Sequence, residues 1–409
     1  MTNEFYCYIR IVKKIAVIGA GAAGCFAAAN IMRMTGGRAS VCVYEAGPRP
    51  LAKVAVTGGG RCNLTNSFAT VDSLRDVYPR GFRAMQRARG KFSEADTFRW
   101  FEDAGVPLVT QDDGCVFPRS QDAMEIVRTL LCQMQGAQIK TGKKLTRLEE
   151  GFTLHFGDGS SETADIVLVA IGGVKQLPVF PEPISLTPLF PSLFTFRTDS
   201  AGLKSLMGIV TENSILSIPG TSFTSDGPLL ITDWGLSGPA ALKLSSYAAV
   251  FLAGKQYRSE VSVNWTGMNQ EDTKSFLQGL PGARMLQSLP PAGINRRLWQ
   301  HIIARAGVRS DIRCSEVGTK GLNRLSDAIT RDVYKITGRA AWKSEFVTAG
   351  GVDLASIDTH TFRAKEIPGL YFAGEILDID AVTGGFNLQA AWSTGYAAAE
   401  DIVKSLVLE

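Results

Sequence analysis

Three groups of residues in this chain have types and spacings suited to holding a ligand. The first is Gly19-Ala20-Gly21-Ala22-Ala23-Gly24, followed at position 45 by a glutamate. Gly19 permits a tight turn, Gly21 lets the backbone approach a pyrophosphate, and Gly24 lets a helix pack close to a sheet. A helix beginning here offers unpaired N–H groups and the positive end of its dipole to phosphate. Glu45 stands at the distance expected of an acid that accepts hydrogen bonds from ribose hydroxyls. The second group is Thr57-Gly58-Gly59-Gly60-Arg61-Cys62-Asn63-Leu64-Thr65-Asn66. Three consecutive glycines are costly in conformational entropy. They make sense where the backbone passes close to something flat or phosphorylated, with Arg61 and Asn63 as fixed polar groups. The third group lies more than 300 residues further on: Gly374-Glu375, then Thr383-Gly384-Gly385-Phe386-Asn387-Leu388-Gln389.

The elements that must position these groups can be read from the apolar pattern. Ile15 to Ile18 is a short buried strand, an alanine-rich helix follows the glycines, and Ser40 to Tyr44 is a second strand. Together they make one βαβ unit of the Rossmann kind. Ala164 to Ala170 is a continuous apolar run, as in a parallel strand buried on both faces, and it ends in Ile171-Gly172-Gly173. Leu370 to Ala373 is a further buried strand, and an alanine-rich helix spans Ala390 to Val403. The glycine turn alone fits NAD or FAD. The late strand and helix complete the same site at a flavin end, so the expected cofactor is FAD. Glu375 fits a role at the ribityl or phosphate region. A helix N-terminus near Asn387 would face the flavin N1–C2=O2 edge, where negative charge accumulates on reduction. That placement would raise the flavin potential and favour hydride acceptance at N5.

Between these segments the pattern predicts a helix over 91–105 with Ser93 as its N-cap. A hairpin or loop follows over Gln111–Ser120, then a helix over Ala123–Gln135, strand-turn-strand over Ala137–Glu149, and a hairpin over 152–164. The proline-rich stretch Leu177–Pro191 reads as a crossover. From Ser192 to Met268 short β-type runs dominate, with only Pro239–Val250 helical. Residues 270–332 lack strand alternation and read as helical, a lid or cap over the site. Val333–Val347 returns to β with Gly338 at a turn. The expected architecture is α/β: a Rossmann-type FAD-binding domain assembled from both chain ends (1–191 and 345–409), a β-rich domain (192–268 and 333–344) and a helical insert (269–332).

Composition sets limits. Hydrophobic residues at 45% and charged residues at 20% describe a soluble globular protein. A net charge of +4 implies no general attraction to nucleic acid or membrane. Seven scattered cysteines without a CxxC pair read as reduced thiols in a cytoplasmic protein, and three dispersed histidines argue against a zinc site. The glycine turn would break a membrane-spanning helix over 15–31. The fourteen residues before Ile15 read as a short extension.

These motifs carry a family resemblance. The chain resembles the aminoacetone-oxidase-like family of FAD-dependent, NAD(P)/FAD-type oxidoreductases, a group that includes proteins implicated in bile-acid metabolism. The matching segments are Gly19–Gly24, Thr57–Asn63 with Thr65-Asn66, Phe117-Pro118, Gly369–Glu375 with Asp378, and Thr383–Gln389. The resemblance implies the three-part organisation above and FAD contacts at both ends of the chain. The candidate cofactor residues are Gly19, Gly21, Ala22, Ala23, Gly24, Glu45, Ala46, Lys53, Thr57, Gly58, Gly59, Gly60, Arg61, Cys62, Asn63, Thr65, Leu145, Ala170, Gly172, Gly173, Gly374, Glu375, Asp380, Gly385, Phe386, Asn387, Leu388 and Gln389. Two departures stand out: Cys115 replaces a usually basic residue, and the aromatic of the last helix is at Trp392. Both are expected near the substrate side.

The expected function is hydride transfer between a small organic substrate and the flavin N5, with oxygen or NAD(P)H as the other partner. No second GxGxxG unit is visible, so a pyridine nucleotide would have to use the flavin face directly. No catalytic acid or base can be named from the sequence. The alternative is a flavin-containing, RNA-associated protein that uses the arginines of the helical insert, although a solvated helical face is the commoner reason for such a run.

Overall fold

The computed structural model describes residues 13–340 and 347–407. The N-terminal extension, Cys7 and residues 341–346 of the expected return to β lie outside the described residues. The chain divides into two compact units, Met1–Leu189 with Thr348–Glu409, and Phe190–Val347.

The first unit is built on a seven-stranded sheet. Strand β1 (Lys14–Ile18) is the middle one of its five parallel strands and pairs with β2 (Ser40–Tyr44) on one side. On the other side it pairs with Ile166–Val169, which pairs in turn with Leu370–Phe372. Gln138–Lys140 extends the sheet beyond β2, again in parallel. Ile15–Ile18 and Ile166–Val169 are buried throughout, which is why these strands read as unbroken apolar runs. The helix α1 (Ala22–Met34) packs against the C-terminal helix Phe386–Val407. Small residues bring the two together: a Cβ on Gly395 would come within 2.9 Å of the Ala23 carbonyl oxygen. Ser93 caps the helix Glu94–Asp103, as the sequence led us to expect, and does so through a reciprocal pair of bonds with Asp96.

The second unit is a closed six-stranded barrel. Its strand order is Phe196–Thr198, Gly235–Ser237, Thr224–Ile231, Val210–Ser217, Ser259–Asn264, Asp332–Arg339. Helices Gln270–Gln278, Arg296–Arg305 and Gly318–Thr330 fill the segment read as helical. Leu277, Leu298, Trp299, Ile302 and Leu325 belong to one buried cluster with the barrel residues Leu216, Val261, Val263 and Trp265. The helices therefore share the barrel's core and have no separate one.

Two local expectations are corrected. Gly338 lies within the strand Asp332–Arg339, where it pairs with Arg197, so it marks no turn. Pro239–Val250 is not the only helix before residue 268, because Ala201–Lys204 and Ala249–Gly254 are helical as well. Before the glycine-rich loop, Ala52–Val56 forms a short helix, too brief for a periodic signal.

Candidate cofactor site

The glycine turn sits at the C-terminal end of β1, the edge at which parallel α/β sheets bind ligands. Its three glycines are required for different reasons. Gly19 has φ +106°, and a Cβ there would collide with the Ala170 backbone. A Cβ on Gly24 would strike the Gly19 carbonyl. Gly21 is different: its φ of −86° is open to any residue, and a Cβ would meet nothing within 4 Å. Neither packing nor backbone strain explains a glycine there, whereas room for a ligand does. The first α1 bond runs from Cys25 N–H to Gly21 O, and no side chain caps the helix, so the preceding N–H groups point outward. The site thus fits the diphosphate of a dinucleotide.

Glu45 is held in place. Its carboxylate accepts from Ala20 N–H at 2.8 Å and Gly47 N–H at 2.7 Å. Each oxygen keeps a lone pair for a further donor such as a ribose hydroxyl. Ala46 is exposed beside it. Leu145 is buried in a separate three-stranded sheet, two residues past Lys143, whose N–H binds the Glu45 carbonyl.

A second group forms where Ile166–Val169 ends. Glu375 sits in the short turn Gly374–Ile376, and its carboxylate accepts from Thr348 N–H at 2.8 Å. Lys53 Nζ lies 3.6 Å from the other carboxylate oxygen and 3.5 Å from the Gly173 carbonyl. A Cβ on Gly173 would overlap both Glu375 and Thr348. Lys53, Gly172, Gly173 and Glu375 therefore come together from three distant parts of the sequence.

The third group joins the glycine-rich loop to the last helix. Gly58, Gly59 and Gly60 all have left-handed φ values, between 61° and 84°, so the run is a backbone requirement. Nothing lies within 4 Å of a Cβ on Gly59 or Gly60. Arg61 stays exposed, its guanidinium 4.5 Å from the Phe117 ring centroid. The Asn63 side-chain amide donates to Thr65 O and accepts from Gly385 N–H at 3.1 Å. Thr65 Oγ1 and Thr97 Oγ1 both donate to Gln389 Oε1, at 2.6 and 2.9 Å, and Gln389 Nε2 donates to Ser393 Oγ. The Asn387 side chain closes on Ala381 N–H and O. The side chains of Thr65, Asn387 and Gln389 are thus engaged internally. What the last helix leaves facing outward is its N-terminal backbone at Phe386–Leu388.

Asp380 is fully buried and forms a two-point ion pair with Arg80. Sequence reasoning missed Arg80, as it missed Thr97 and Thr348, because none of them belongs to a motif. The one local sign is Gly81, a left-handed glycine wedged against Ile379.

The structure places both departures from the family pattern, Cys115 and Trp392, in the interior. Trp392 is fully buried among Phe26 and Phe101, with its Nε1 donating to Leu64 O. Cys115 is buried on a strand that pairs with Asn66, and burial raises its thiol to about 11. Burial likewise raises Cys62 to about 12. Neither thiol is poised to ionise at neutral pH. No helix among the described residues is long and apolar enough to cross a membrane.

Comparison with known proteins supplies the remaining findings. A sequence-family model described as "HI0933-like protein Rossmann domain" matches residues 13–182 and 183–401. The "Ribosomal RNA dihydrouridine synthase" of Escherichia coli (strain K12) is 28% identical over 408 residues, covering 95% of this chain and 97% of that protein. The "3-dehydro-bile acid delta(4,6)-reductase" of Clostridium scindens is 26% identical over 409 residues, covering 95% and 98%. A solved 3-ketosteroid-delta4-(5alpha)-dehydrogenase from Rhodococcus jostii RHA1 aligns at 11% identity and a TM-score of 0.45, over 95% of this chain and 96% of that one.

Proposed function

The chain belongs to the HI0933-like family and is an FAD-dependent oxidoreductase, and from that premise we propose that it saturates a carbon–carbon double bond conjugated to a carbonyl. The names of two relatives support this reading. Dihydrouridine is uridine whose ring double bond, conjugated to a carbonyl, has been saturated. A delta(4,6)-reductase acting on a 3-dehydro steroid saturates bonds of the same electronic kind. FAD bound here would supply a carrier whose N5 passes to the double bond a hydride taken from NAD(P)H, with a proton completing the saturation.

The residues have separate tasks in this reading. The α1 N-terminus and the space beside Gly21 take the diphosphate, and Glu45 takes the adenosine ribose. Lys53 and Glu375 flank the middle of the cofactor. The N-terminal backbone of Phe386–Val407 faces the flavin and favours the negative charge of its reduced form. Thr65, Thr97 and Gln389 hold that helix end against the glycine-rich loop.

The observation that carries the cofactor reading is Gly21, a glycine the fold itself does not need. Gly21→Ala is expected to leave the melting temperature within a few degrees of wild type and to weaken FAD binding at least tenfold, as read by flavin fluorescence titration. Gly19→Ala should lose both, because its Cβ collides with Ala170. Equal FAD affinity in Gly21→Ala and wild type would sink the diphosphate assignment.

The substrate of the leading reading is a small conjugated carbonyl compound. A second reading, uracil within RNA, is favoured by charge. The helical insert, residues 269–332, holds ten Lys and Arg against six Asp and Glu, so it alone carries an excess equal to the net +4 of the whole chain. The two readings separate by anaerobic reoxidation of the NAD(P)H-reduced protein, with a steroid enone in one arm and uridine-containing ribosomal RNA in the other.

A further inference from the structure

We propose that the second unit carries an RNA-binding track: a basic stripe on the helix Gly318–Thr330 that runs into a hydroxyl-lined cleft on the outer wall of the barrel. The proposal rests on the second reading above and names the surface that reading needs.

The cleft has a volume of about 390 Å³. Strand register explains its lining. Thr224 pairs with Ser217, Ser217 with Ser262, and Ser262 with Val333, so these four form one row across adjacent strands. Their neighbours Leu216 and Val263 are buried in the barrel. Side chains alternate along a strand, so the row faces outward. Asn264, paired with Ile215 one step along, and Arg331 complete the wall. Two serine hydroxyls, a guanidinium and small apolar surfaces suit a ribose–phosphate strand. A hydroxyl both donates to and accepts from a ribose 2′-OH, the group that separates RNA from DNA.

The stripe leads to this cleft. Lys320, Arg324 and Asp327 follow one another at spacings of four and three along one face of the helix, and Arg331 is the residue that ends it, its N–H donating to the Asp327 carbonyl. All four are exposed. Asp327 is paired with Arg331 at 2.6 Å, leaving the stripe net positive. Its length is about 16 Å at 1.5 Å per residue, and its end enters the cleft because Thr330 and Arg331 line both. An acidic protein would be drawn to the stripe but would have no use for the hydroxyl row; a ribose–phosphate strand uses both.

The test uses full-length protein loaded with FAD and fluorescence anisotropy with a uridine-containing single-stranded RNA and the DNA of matching sequence, across a salt series. Wild type should bind RNA more tightly than DNA. The triple variant Lys320→Ala/Arg324→Ala/Arg331→Ala should lose roughly tenfold or more in affinity for both, with the log–log salt slope falling by about 2. Ser217→Ala/Ser262→Ala should leave the slope unchanged and reduce the preference for RNA over DNA. Flavin content and melting temperature, unchanged in each variant, exclude misfolding. Wild-type RNA binding that survives the triple variant with the same slope overturns the track and leaves the RNA reading standing. No wild-type binding at low salt overturns both. An equal RNA preference in the serine variant overturns the role of the hydroxyl row.

Discussion

Arg80 and Asp380 show how a residue absent from every motif shapes the site. The Asp380 carboxylate is fully buried, and the Arg80 side chain is 17% exposed. They tie the loop before the last helix to a segment 300 residues earlier. Arg80→Met would leave a buried carboxylate without its counter-charge, a loss of about 3–5 kcal/mol; chemical denaturation should show a correspondingly lower midpoint. Asp380 was a candidate for cofactor contact, and sequence cannot show that an arginine already pairs with its oxygens. Cysteines give a second prediction at this scale. Cys62 and Cys115 are buried with raised thiol pKa values, while Cys132 is exposed. Iodoacetamide at mildly alkaline pH should modify Cys132 and spare the other two until denaturant is added, as peptide mass mapping would show.

At the scale of elements, legibility followed locality. The βαβ unit was readable because strand, glycine turn, helix and acid fall within 32 residues, Lys14 to Glu45. The N-cap at Ser93 was readable for the same reason, although its reciprocal bond with Asp96 was not. The barrel's closure was not: Phe196–Thr198 pairs with Asp332–Arg339 across more than 130 residues, and no local pattern announces that pairing. Nor could sequence reveal that the helix Arg296–Arg305 is tied to the barrel by a polar network. His301 Nε2 lies 3.0 Å from Tyr334 Oη, which donates to the buried Asp332, itself paired with Arg305. Burial lowers the His301 pKa, with Asp332 opposing and Arg305 adding to the shift. A depressed folded value means that the unfolded chain binds the extra proton first as pH falls. The contribution is full above about pH 6.5 and is lost as pH drops toward the folded value. His301→Gln should therefore show a smaller loss of denaturation free energy between about pH 7.5 and 5.5 than wild type.

The whole molecule is one chain folded as two units, with the second inserted into the first. The barrel's buried cluster, from Phe194 to Ile336, is drawn from its own segment. A fragment spanning 190–347 is accordingly expected to fold alone, with β-rich circular dichroism and a cooperative melt, and to remain colourless with added FAD. A fragment that melts without cooperativity would show that its core depends on the rest of the chain.

The clamp of Thr65 and Thr97 on Gln389 sets the order of events on the ribosome. One bond of that clamp spans 324 residues, and the strand Leu370–Phe372 pairs with Val167–Val169, about 200 residues earlier. Contacts so remote must wait for the C-terminal end of the chain to emerge, and closing loops of that size slows folding further. The inserted barrel, complete by residue 340, can fold first while the N-terminal βαβ unit waits with half of its site unmade. Flavin capture is then the last act of biogenesis, and nascent chains arrested before the final helix should carry no colour.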